Sequence, residues 1–295
     1  MNFQLGVLLI HGMGSQEAGY ANRMIEELKD RVRRLGSDDR RICFEPAWWA
    51  PVLARKQEDL IRALADGNDL DWMPLRRFIL HSLADAVAYQ VTYRPTSKDQ
   101  INVYRAVHNV LRDSMRNLRR RIEVGDGPRA ETVPLVVIAH SLGCHMITNY
   151  IYDVRHAAPS RRLKNGFDRF ETLAGMITFG CSIPIFTLAL TTLDPIEFPA
   201  HNIARIFPDA TQDELDSVTK WLNFYDPDDV LGYPLRTVDP KYAAVVSEDI
   251  AVNVGGLLRS WNPLSHSEYW TDNDVTRPTA ELLHKILRLR PRARN

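Results

Sequence analysis

VVIAHSLG, residues 136–143, sets a serine in a sharp turn directly after a run of apolar, largely β-branched residues. Val136, Val137 and Ile138 read as a buried strand, and Leu142 onward reads as the start of a helix. A serine at such a strand-to-helix turn is forced into a strained backbone conformation that lifts its hydroxyl clear of the sheet, the geometry a nucleophile needs. Small residues must flank it, here Ala139 and Gly143. Glycine at both flanks is the usual pattern, and Ala139 departs from it by one methyl group. Ser141 is therefore the candidate nucleophile.

Outward from this turn, apolar strand-like runs alternate with amphipathic or charged helical stretches, which predicts an α/β protein with a mostly parallel central sheet flanked by helices. The expected strands are Gly6 to His11, Arg41 to Glu45, Val133 to Ala139, Gly175 to Phe179, Trp221 to Tyr225 and Asp249 to Val254. A charged helix spans about Ala18 to Leu35 and is ended by Gly36; another, near Thr279 to Leu289, closes the chain. The whole of 1–295 reads as a single domain with a helical insertion at about 51–127, before the nucleophile strand. That segment is far longer than one crossover helix requires. It reads as helices over Val52 to Ala65, Leu75 to Gln90 and Lys98 to Glu123, either packed over the sheet or partly a lid. Its Arg119 to Arg121 run reads as a solvated helix end favoured by the helix dipole.

The 295 residues are 45% hydrophobic and 25% charged, an ordinary globular composition. Lys plus Arg number 37 and Asp plus Glu number 37, so no global field favours nucleic acid or an anionic membrane. Cys43, Cys144 and Cys181 sit in or beside apolar runs and read as reduced, buried thiols. The N-terminal apolar run stops at His11, and no other stretch approaches the roughly 18 uninterrupted apolar residues of a membrane span. The expected location is therefore cytoplasmic. Gly12-Met13-Gly14 lacks the third glycine of a dinucleotide fingerprint, since position 17 is Glu17. A Walker-type loop is missing, and no metal-ligand spacing is apparent, so neither cofactor nor metal is expected.

Acyl transfer by a serine needs a base, an acid that orients the base, and donors for the developing oxyanion. For the acid, NFYDPDDVLGYPL, residues 223–235, ends a strand-like run in an acidic cluster at the sheet edge where ligands bind. Asp229 is favoured, with Val230 and Leu231 expected to bury and fix it. Asp226 is the alternative, unless it caps the turn before Pro227. Of the nine histidines, His266 in SHSEYW, residues 265–270, follows the acid on a loop that Tyr269 and Trp270 can anchor. Upstream, VLLIHGMG, residues 7–14, ends a buried strand in His-Gly-x-Gly. Gly12 and Gly14 permit a tight loop that leaves the Met13 backbone N–H free, with the Leu142 N–H as its partner at a helix N-terminus. His11 is expected to organise that loop through hydrogen bonds.

With these residues in the order oxyanion loop, serine, acid, histidine, the chain resembles the α/β-hydrolase superfamily, lipase- and esterase-like members most of all. The resemblance rests on His11-Gly12-Met13-Gly14, on Ala139-His140-Ser141-Leu142-Gly143, on the Asp229 segment and on His266. GMITFGCSIP, residues 175–184, adds the strand and turn that follow the elbow helix in lipase-like relatives. It implies a sheet of eight strands or fewer and a Ser141-His266-Asp229 triad with an acyl-enzyme intermediate. The implied partner is a small-molecule carboxylic ester with an apolar acyl group, the stretch from Cys181 to Leu193 lining its pocket or simply forming a core helix. Trp48 and Trp49 either border the cleft or plug the sheet. The competing readings are an acyltransferase or thioesterase on the same triad, and a non-catalytic binding or scaffold protein of the same fold.

Overall fold

A computed structural model of the chain describes residues 2–14, 16–66, 71–73, 76, 80, 84–89, 102–125, 127–188, 193–254 and 263–289. Six strands form one sheet: β1 (Leu5–Ile10), β2 (Ile42–Ala47), β3 (Leu135–His140), β4 (Leu173–Phe179), β5 (Lys220–Tyr225) and β6 (Glu248–Ala251). Their order is β2-β1-β3-β4-β5-β6 and every neighbouring pair is parallel. All six expected strands appear, with ends shifted by a few residues. Strand β2 runs on through Pro46, tolerated because β2 is an edge strand and a missing N–H there costs little.

The central strands are apolar on both faces because helices cover both. Leu8, Ile10, Val137 and Ala139 face one fully buried layer; Val7, Leu9, Val136 and Ile138 face the other. Among the described residues eight helices with defined ends flank the sheet: α1 (Asn22–Arg34), α2 (Pro51–Ala65), α3 (Val103–Ile122), α4 (Leu142–Arg155), α5 (Ile183–Thr187), α6 (Gln212–Val218), α7 (Pro240–Val245) and α8 (Asn273–Leu289). In α3, Val103, Val107, Leu111, Met115, Leu118 and Ile122 make a continuous buried stripe against β1 and β2. Helix α3 thus lies in the crossover from β2 to β3.

Helix α1 ends where expected, at Gly36 with φ +89°. Helix α8 starts six residues earlier than the sequence suggests and carries Pro278 inside it. Burial of Val275, Thr276, Thr279, Leu282, Leu283, Ile286 and Leu287 outweighs the one helical hydrogen bond the proline removes. In α2 the buried face is Leu53, Gln57 and Ile61, while Leu60 and Leu64 are exposed. Residues 84–89 are helical; the rest of the helix expected over Leu75 to Gln90 lies almost wholly outside the described residues. The arginine run is more engaged than expected: Arg119 pairs with Asp168 and Glu123, and Arg121 with Glu45. Among the described residues no helix is long and apolar enough to cross a membrane.

The chain leaves β1 toward β2 on one side and later adds β3 on the other. Loops after β1 and β3 therefore emerge side by side at the C-terminal edge of the sheet, the switch point where open α/β sheets form a crevice.

Candidate active site

Ser141 follows the last residue of β3 and precedes the first of α4, with φ 53° and ψ −128°. A non-glycine residue there stores strain of about 1–3 kcal/mol, and it is held by bonds on both sides. Its N–H donates to the Phe179 carbonyl at the end of β4 (3.0 Å), and its carbonyl accepts from the Cys144 N–H (3.0 Å). The small flanks have a steric cause. A Cβ on Gly143 would lie 2.5 Å from the His11 carbonyl oxygen, so only glycine lets the elbow helix meet the loop after β1. Ala139 is fully buried in β3, where its methyl group fits the core.

The structure brings Ser141, His266 and Asp229 together. His266 Nε2 lies 2.6 Å from Ser141 Oγ, and His266 Nδ1 lies 2.8 Å from Asp229 Oδ2. With Nδ1–H donating to the carboxylate, Nε2 is left to accept the serine proton. Burial pushes the Asp229 pKa up, but hydrogen bonds from His266, from the Leu231 N–H and from the Tyr269 hydroxyl together hold it below the ordinary carboxylate value. Two glycines make room for this relay. A Cβ on Gly232 would sit 2.5 Å from Asp229 Oδ2, and Gly180, at φ +53°, would place one 3.1 Å from the His266 ring. Val230 does not bury Asp229 as its apolar character suggested, being 66% exposed. The turn from Asp226 to Gly232 instead folds the carboxylate inward against Tyr269.

Asp226 is engaged by backbone instead. Its carboxylate accepts from the backbone N–H groups of Asp228 (2.8 Å) and Val254 (2.7 Å), fastening the turn after β5 to the segment after β6. Tyr269 joins the two acids: its hydroxyl donates to Asp229 Oδ2 (2.9 Å) and accepts the Asp226 N–H (2.8 Å). The other described histidines are engaged elsewhere, His145 stacking on Phe186 at 4.1 Å and His108 bonding Tyr89 and Asp153.

His140 escaped the sequence reading. It is buried and kept neutral by that burial, and its Nε2–H donates to the His266 carbonyl (2.7 Å), holding the main chain at His266. Strand alternation carried the signal, since 136, 138 and 140 share the face on which Tyr269 and Trp270 pack.

The loop after β1 is fixed by His11. Its Nδ1–H donates to the Gly12 carbonyl (2.8 Å), and its Nε2 accepts from the N–H groups of Trp49 (3.1 Å) and Ala50 (3.3 Å). Burial lowers its pKa to about 4, so it is the neutral tautomer these bonds require. The Trp49 ring stacks on it at 4.8 Å and is fully buried. The two tryptophans thus part company: Trp49 is the plug, while Trp48 is 40% exposed and donates to the Gln16 carbonyl. Neither the Met13 N–H nor the Leu142 N–H has a partner among the described residues, and Leu142 opens α4. The Gly14 N–H donates to Asp85 Oδ2 (2.9 Å), a contact from the segment between β2 and α3 that sequence spacing could not disclose.

The stretch from Cys181 to Leu193 divides. Ile183 is buried, α5 places Phe186 on His145 one helical turn from Ser141, and residues 189–192 lie outside the described set. A cavity of about 270 Å³ opens between His145, Asn149, Ile183 and Phe186. A larger one of about 830 Å³ lies beside Arg155, His201 and Lys241, and neither cavity is lined by any of the three relay residues. Lys241 is already paired with Asp194, and Arg155 with backbone carbonyls. Chemistry, not size, marks the site. Among the described residues no cluster of three or more His, Cys, Asp or Glu could hold a metal ion. No protein-family model and no curated protein matches the chain.

Proposed function

We propose that the protein is a serine hydrolase of the α/β-hydrolase type that cleaves carboxylic esters through an acyl-enzyme intermediate. The observation that carries this reading is the continuous relay Asp229–His266–Ser141, with distances of 2.8 and 2.6 Å, ending on a serine at positive φ near two N–H groups that have no partner among the described residues. A binding protein that merely kept the fold would have no need of a relay at hydrogen-bond distance or of glycines cut to its shape.

In this reading the Ser141 hydroxyl gives its proton to His266 Nε2 as Oγ attacks the ester carbonyl carbon. The oxygen of the tetrahedral intermediate takes the Met13 and Leu142 N–H groups, helped by the positive end of α4. Asp229 holds the imidazolium that forms. His266 then passes its proton to the departing alkoxide, and the alcohol leaves. Water, deprotonated by the same nitrogen, attacks the acyl carbon; collapse returns a proton to Ser141 and releases the acid. The chemistry is complete with side chains and backbone alone.

The test is a series of p-nitrophenyl esters of increasing acyl length, assayed with wild type and Ser141→Ala. Turnover that varies with acyl length and vanishes in the variant supports the proposal; flat rates that do not depend on the serine contradict it. An added alcohol or thiol acceptor in the same assay reports whether the acyl group goes to water or to another nucleophile.

A further inference from the structure

Asp85 is a buried carboxylate outside the relay. It lies in the helical run 84–89, and only 1% of it is exposed. Its two oxygens are divided: Oδ1 accepts from the Gln57 side-chain amide of α2 (2.6 Å), and Oδ2 accepts the Gly14 N–H (2.9 Å). Burial pushes its pKa up to about 6, so it is a carboxylate at neutral pH despite the cost of placing charge there.

The position of that contact is telling. The Gly12–Met13 peptide is pinned at its carbonyl by His11 Nδ1–H, and the next peptide, Met13–Gly14, is pinned at its N–H by Asp85. Met13 hangs between the two, so the direction of its own N–H follows from both anchors. Gly14 itself is at φ +94°, and among the described residues no atom outside its chain neighbours lies within 4 Å of where its Cβ would be. His11 belongs to the sheet side of the site, whereas Asp85 belongs to the segment between β2 and α3.

We infer that Asp85 completes the oxyanion hole as the positioning residue that orients the Met13 N–H through Gly14. The inference rests on the serine-hydrolase reading above. An anchor that aims a donor at the oxyanion acts on the transition state and not on the bound ester, so its loss lowers kcat and leaves KM alone.

The experiment compares wild type, Asp85→Ala and Asp85→Asn with p-nitrophenyl butyrate as substrate and a fluorophosphonate as label for Ser141, alongside thermal unfolding. The carboxamide oxygen of Asn can still accept the Gly14 N–H, while Gln57 turns its amide oxygen toward the new NH₂. Expected is a fall in kcat of about tenfold to a hundredfold for Asp85→Ala with KM within about twofold, and kcat within about threefold of wild type for Asp85→Asn. Wild-type kcat in folded Asp85→Ala overturns the inference. So does an equal loss in both variants that tracks KM or the unfolding temperature, which marks a packing role only. Failure of the hydrolase reading shows separately, as a wild-type protein that takes up no label and turns over no ester, and it removes the inference with it.

Discussion

Gly12 lies against Ser141 so closely that a Cβ on the glycine would stand 2.5 Å from the serine Cβ. The same added carbon would come within 3.1 Å of the His140 carbonyl, so there is backbone on one side and the nucleophile on the other. Gly12→Ala must therefore push the loop after β1 away from the elbow. The expected result is a loss of ester turnover of about a hundredfold or more, the scale of one lost oxyanion donor, with the far-ultraviolet circular dichroism unchanged. Near wild-type turnover in this variant would show that the loop takes no part in the chemistry.

The two acids make opposite predictions. Asp229→Asn keeps the shape of the relay but presents the wrong hydrogen-bonding face to His266, and kcat is expected to fall by about four orders of magnitude with the fold intact. Asp226→Asn instead disturbs bonds to the Asp228 and Val254 N–H groups. Its cost is stability, about 1–3 kcal/mol by urea unfolding, with most activity retained in the folded fraction. The reverse pattern would make Asp226 the acid.

Tyr269→Phe removes one hydroxyl and leaves two orphans, the Asp226 N–H and one oxygen contact of Asp229. A destabilisation of about 1–3 kcal/mol is expected from the buried, unpaired N–H. Activity should drop severalfold without loss of Ser141 labelling, because Asp229 keeps its bonds to His266 and to the Leu231 N–H. Unchanged stability would mean the hydroxyl is dispensable.

Buried histidines set the response to acid. Burial lowers the pKa of His11 and of His145 from 6.5 to about 4, and lowers those of His108 and His140 as well. A depressed histidine contributes stability that is complete above its unfolded value of 6.5 and is lost as pH falls through the folded value near 4, because the unfolded chain takes up the proton first. Each of His11 and His145 accounts for a loss on the order of 3 kcal/mol across that window. Asp85 opposes them. Its pKa is raised by burial from 3.8 to about 6, so between those values the folded protein takes up one proton and gains stability on acidification. The net expectation is a fall in urea-unfolding stability from pH 6.5 to 4. His145→Phe, which retains a ring against Phe186, should make that fall shallower by one proton. A flat pH dependence would contradict the account.

How legible this was depends on whether a signal was local. Strands β1, β3 and β4 could be read because apolar runs such as Val136 to Ile138 are buried on both faces and contain no competing period. Chain order pointed to the contact of His266 with Ser141, and the flanks of Ser141 to its sharp turn. Helix α8 was misjudged because Pro278 reads as a boundary, while the buried face that overrides it shows only once β4 and α1 pack against it. Asp229 reaches His266 by a route its neighbours did not signal, since the turn and Tyr269 bury it and Val230 does not. Asp85 could not be found at all: 71 residues separate it from Gly14, and nothing in its neighbours sets it apart from a solvated aspartate on a helix.

On the proposed reading, Ser141 is a nucleophile activated by His266. The most direct test is labelling with a fluorophosphonate followed by peptide mass spectrometry of wild type, Ser141→Ala and His266→Ala. The account predicts one label per wild-type chain, on Ser141, none on Ser141→Ala, and labelling of His266→Ala slowed by several orders of magnitude. A folded wild-type protein that stays unlabelled, or a label carried elsewhere that survives Ser141→Ala, would contradict it.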